Sequence, residues 1–73
     1  MVTFSKPKRG FQMTVNVDRD GVPFGQIWTF RDTASEWHPW HAKLINGEHK
    51  AFYGATKADG YEKAKHWMAT QAS

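Results

Sequence analysis

The chain reads as α+β: a single small domain in which an antiparallel β-sheet of three to four strands packs on one C-terminal α-helix, preceded by a flexible basic N-terminal arm. Three observations predict this. Phe11, Met13, Val15 and Val17 alternate with Gln12, Thr14, Asn16 and Asp18, the period of two expected of a strand with one buried face. Asp20-Gly21 and Asn46-Gly47 each separate apolar alternating segments, and both dipeptides tolerate the positive φ angles of tight hairpins. After Thr56, Tyr61, Ala64, Trp67 and Met68 recur at helical spacing.

Taken in order, residues 1–10 form the arm. Lys6, Lys8 and Arg9 cluster there, bracketed by Pro7 and Gly10, which reads as a mobile segment or simply a solvated terminus. The first strand begins at Phe11. A turn over Arg19-Asp20-Gly21-Val22-Pro23 sends the chain back as Gly25 to Arg31, where Trp28 and Phe30 share one face and Ile27, Thr29 and Arg31 the other. The heavier aromatic pair is assigned to the core, subject to register. Asp32 to Pro39 is a loop, closed by a proline that biases its predecessor away from helical angles. In the third strand Trp40, Ala42 and Leu44 face the core, opposite His41, Lys43 and Ile45. A fourth strand runs from about Glu48 to Gly54.

Thr56 and Asp59 have the spacing of a capping box, so the helix starts at Lys57. Gly60, Tyr61, Ala64, Trp67, Met68 and Ala72 form its apolar stripe, while Asp59, Glu62, Lys63, His66 and Thr70 lie opposite. Gly60 costs about 1 kcal/mol relative to alanine inside a helix, which implies a close approach by a strand. Residues 11–73 are thus one ββββα domain, without internal repeats.

With 73 residues and no cysteine, the core is built by packing alone, with neither disulfide nor thiolate metal site. Four tryptophans, two tyrosines and five phenylalanines supply much of it. No segment is apolar enough for a membrane span or a secretory signal, so an intracellular, soluble, cytoplasmic chain is expected, a monomer. A net charge of +3 favours acidic partners, protein or nucleic acid.

Catalysis is not expected. The serines, Ser5, Ser35 and Ser73, sit on no nucleophile elbow, and no glycine-rich phosphate loop is present. No cofactor is implied. His38 and His41 lie three apart and His49 can approach across the hairpin, but a closed zinc site takes four ligands, so no metal is expected either. What remains is binding. Arg31, His41, Lys43 and Lys50 are candidates for the open face of the sheet, with Ile45 and Thr29, and Lys6, Lys8 and Arg9 add the arm. Such a face suits a DNA groove or a protein surface. Trp37, outside any periodic pattern, is either an exposed interface anchor or a lid over one edge of the core.

Two resemblances bear on the choice. Trp40 to Lys50, followed by Thr56 to Ala64, looks like the AP2-like DNA-binding domain of phage integrases, in which a three-stranded sheet enters the major groove and a helix backs it. That likeness covers under half of the chain and would make Arg31, Lys43 and Lys50 DNA contacts; the extra first strand and arm depart from it. The chain as a whole, with its Lys6-Pro7-Lys8-Arg9 arm, Trp37-His38-Pro39-Trp40-His41 loop and Tyr61-to-Trp67 helix, resembles the small RNA polymerase-binding regulators of Xanthomonas phages. This second resemblance implies binding to host bacterial RNA polymerase, inhibition of promoter-dependent initiation by displacing the specificity factor, and antitermination. It implies no cofactor and carries no residue-level motif.

Overall fold

The computed structural model describes residues 1–7, 12–30 and 39–72. Within them the expected class is present: a five-stranded antiparallel meander, β1 (Val2–Phe4), β2 (Gln12–Arg19), β3 (Val22–Phe30), β4 (Trp40–Leu44) and β5 (His49–Phe52), followed by helix α1 (Lys57–Ala72). The fifth strand comes from the stretch read as an arm. Val2, Thr3 and Phe4 pair with Arg19, Asp18 and Val17, and Ser5 continues the ladder through its amide to the Asn16 carbonyl. Three residues are too few to show a period, but Val2 and Phe4 have apolar surface to bury, and both pack against the core.

The β2–β3 turn is the one anticipated: Asp20 and Gly21 both take positive φ, 52° and 81°. This is the arrangement that matches the right-handed strand twist. The β4–β5 turn is built differently from the expected two-residue hairpin. Gly47 alone has positive φ, 99°, its amide donates to the Leu44 carbonyl, and the Leu44 amide donates to the Glu48 carbonyl. Asn46 contributes through its side chain, whose Oδ1 accepts from the Glu48 amide at 2.9 Å. The connection is therefore a three-residue loop ending in a left-handed glycine.

A bulge decides which way β3 faces. Arg19 pairs with Val22 and Asp18 with Pro23, but Val17 pairs with Gly25, leaving Phe24 as an extra residue on β3. Pro23 has no amide to give to a ladder, and prolines within sheets collect at such irregularities. The slip of one residue places Ile27 opposite Val15 and inverts the assignment of Trp28 and Phe30 to the core. Ile27 and Thr29 are buried, 0% and 1% exposed, whereas Trp28 is half-buried and Phe30 is 42% exposed on the other side.

The core lies between the sheet and α1. Val15, Val17, Ile27, Ala42, Ala64 and Met68 are fully buried, and Val2 and Phe4 of β1, Met13 of β2 and Phe24 of β3 pack against them. Thr29, read as open-face, satisfies its buried hydroxyl by donating to the Pro39 carbonyl at 2.6 Å. Trp40 is 3% exposed; its indole N–H donates to the Lys57 carbonyl at 2.8 Å and its ring stacks on Tyr61 at 4.9 Å. That bond uses an indole group that would otherwise be buried without a partner. Gly25 makes the close approach of helix to sheet possible, since a Cβ there would meet the Lys43 carbonyl oxygen at 2.5 Å and the Met68 methyl at 2.9 Å. Gly60 is buried under the chain at Gly54, where a Cβ on Gly54 would lie 2.5 Å from the Gly60 nitrogen.

Candidate binding face

The helix covers one side of the sheet, and among the described residues the other side is open. Because residues paired across antiparallel strands share a face, the register defines the open side. Gln26 faces Asn16 and Lys43; Trp28 faces Thr14 and His41; His49 pairs with Lys43 and Ala51 with His41. The flanking residues Val15, Ile27, Ala42 and Leu44 all point to the core.

Two halves can be distinguished. Towards the turns, Gln26 donates to Asn16 Oδ1 at 3.1 Å, Ser5 Oγ accepts from the Asn16 amide at 2.9 Å, and Asp18, Lys43 and Ile45 complete the rim of a shallow depression. Ile45 is 76% exposed at the tip of the β4–β5 loop. The other half is aromatic. The Trp28 ring lies near-parallel to both imidazoles, with centroids 5.5 Å from His41 and 5.6 Å from His49. The imidazoles meet one another, His41 Nδ1 to His49 Nε2, at 3.3 Å. Burial against these rings, and then the proximity of His49, push the His41 pKa below its ordinary 6.5, which favours neutral His41 at physiological pH.

Of the residues expected to bind a partner, His41 and Lys43 lie together on this face. Lys6 is exposed beyond the end of β1. Lys8, Arg9, Arg31 and Trp37 lie outside the described residues. Lys50 belongs on the other side. It pairs with Ala42, a core residue, so its side chain emerges on the helix side, with Nζ 5.6 Å from the centre of the Phe52 ring and beside a groove bordered by Trp67, Glu62 and His66. From sequence, Lys43 and Lys50 are both candidates for the open face; the pairing of Lys43 with His49 puts Lys50, one residue on, on the opposite face.

Trp28 and Phe30, assigned from sequence to the core, lie on the open side, whereas His49 approaches His41 across the hairpin as expected. The signal available in the sequence was Pro23, whose missing amide marks a candidate bulge two residues past the turn. The described residues contain no group of three or more histidines, cysteines or carboxylates placed to hold a metal. Their helix is too short and too polar to cross a membrane. In comparisons with known proteins, the chain matches no family model, no curated protein and no solved structure.

Proposed function

We propose that the protein is a binding module that engages a protein partner through the open face of its sheet, and that this partner is bacterial RNA polymerase, whose promoter-dependent initiation it inhibits. The single observation carrying the protein-binding part is the Trp28–His41–His49 cluster, half-buried at Trp28 and His41 and exposed at His49, with Phe30 beside it. Aromatic groups fixed in place by neighbours are the usual energetic centres of protein interfaces. The separation of Lys43 from Lys50 weighs against the integrase-like alternative, because a groove reader needs its phosphate-neutralising cations on the face that enters the DNA. The polymerase itself is supported by the resemblance of the whole chain to small phage regulators, and a host bacterial cytoplasm is the compartment that goes with it.

The test is a pull-down from bacterial lysate with the tagged chain and its Trp28→Ala variant, each with and without nuclease. Recovery of polymerase in both nuclease conditions, lost with Trp28→Ala, is the expected result, together with repression of a promoter-dependent transcript at micromolar protein. Absence of repression at large excess over polymerase overturns the proposal. Capture that requires intact nucleic acid hands the function to a DNA-binding module.

A further inference from the structure

His41 and His49 stand in a relation that ring stacking alone does not demand. Their facing nitrogens, Nδ1 and Nε2, are 3.3 Å apart. Two nitrogens bound to one tetrahedral zinc at about 2.0–2.1 Å are separated by about 3.3–3.4 Å, the chord of the tetrahedral angle. In the ion-free chain the same separation serves a hydrogen bond, one imidazole N–H donating to the bare nitrogen of the other.

The pair is also held in place. His41 is opposite Ala51 and His49 opposite Lys43, so the two are diagonal neighbours on one face of the β4–β5 hairpin. The Trp28 ring lies near-parallel to both, at interplanar angles of 19° and 22°, and limits their rotation. A chelate prepared in this way loses little side-chain freedom when an ion arrives.

Imidazole nitrogen selects zinc and the later first-row ions over calcium and magnesium, which take oxygen. The described residues supply no third histidine, cysteine or carboxylate. We propose that His41 and His49 form a two-imidazole chelate for a zinc-type divalent ion on the open face, its remaining coordination positions turned outward to water. It stands independently of any polymerase binding.

The experiment is a titration of the full chain with zinc alone, following the imidazole ring signals by NMR and the affinity by competition with a chromophoric chelator. The ring signals of His41 and His49 are expected to move together and saturate at one ion per chain, with His66, exposed on α1, unmoved. His41→Gln and His49→Gln should each weaken binding by about tenfold or more, a loss at least as large as that usual for removing an outer-shell partner. His66→Gln should leave it unchanged, and calcium should produce no shift. His49 is exposed, so its replacement leaves the fold intact and keeps the test decisive. Ring signals that stay put at millimolar zinc, or zinc binding that survives His49→Gln, would overturn the proposal.

Discussion

Ile27 is closed off at 0% exposure while the adjacent Trp28 is only half-buried, and this difference sets what each substitution costs. Ile27→Ala removes buried methyl and methylene groups from the contact with Val15, Ala42 and Met68 and should destabilise by about 2–5 kcal/mol. Trp28→Ala should cost less, although the ring is larger, because it leaves no enclosed cavity. Urea denaturation of the two variants checks the order; a larger loss for Trp28→Ala would mean that β3 faces the other way. At His41 the folded state lowers the pKa, chiefly through burial, so the unfolded chain binds more protons as the pH drops below 6.5. Stability should accordingly be full above that value and decline as the pH falls from it through the depressed folded value. His41→Gln should flatten the decline, measured by thermal unfolding between pH 7 and 5 with a chelator present. The neighbours on the same face, Trp28, His49 and Lys43, are unchanged in that variant.

The elements differ in how far local sequence explains them. Helix α1 was legible because its signals are local. The Thr56 hydroxyl accepts from the Asp59 amide at 3.1 Å, Asp59 Oδ2 accepts from the Ala55 amide at 3.3 Å, and the buried positions Gly60, Ala64, Met68 and Ala72 follow the helical period. Thr56→Ala should cost about 1 kcal/mol through loss of the cap, read as a lower urea midpoint with unchanged slope. Strand β2 was legible for the same reason, since its alternation lies within the strand. The facing of β3 was not. Its own residues, Ile27 and Thr29 on one side and Trp28 and Phe30 on the other, offer two apolar faces. The choice rests on the slip at Val17/Asp18, which aligns Ile27 with the buried Val15. A hydrophobic rank order favours the aromatics, but register carries every side chain of a strand together, and β2 sets the register.

For the molecule as a whole, two described cations stand on different faces of the sheet, which separates their expected effects under the proposed function. Lys43 lies on the open face and Lys50 on the helix side, so their substitutions should act independently. Lys43→Glu should slow association with the protein partner at low salt, whereas Lys50→Glu should leave the rate within about twofold, as expected for a charge outside the interface. Surface plasmon resonance against purified polymerase measures both; equal losses would place the interface elsewhere. The sequence by itself determined the class of the protein, the helix and its cap, the first hairpin turn, the inward set of β4 and the basic charge. Each of these depends on neighbours within a few residues or on composition. The tertiary structure decided the use of Val2–Phe4 as a fifth strand, the outward turn of Trp28 onto the histidine pair, and the exile of Lys50 to the other side. These depend on which residue stands opposite which across the sheet, and a strand period of two makes that outcome binary: one unpaired residue, Phe24, exchanges the buried face for the open face.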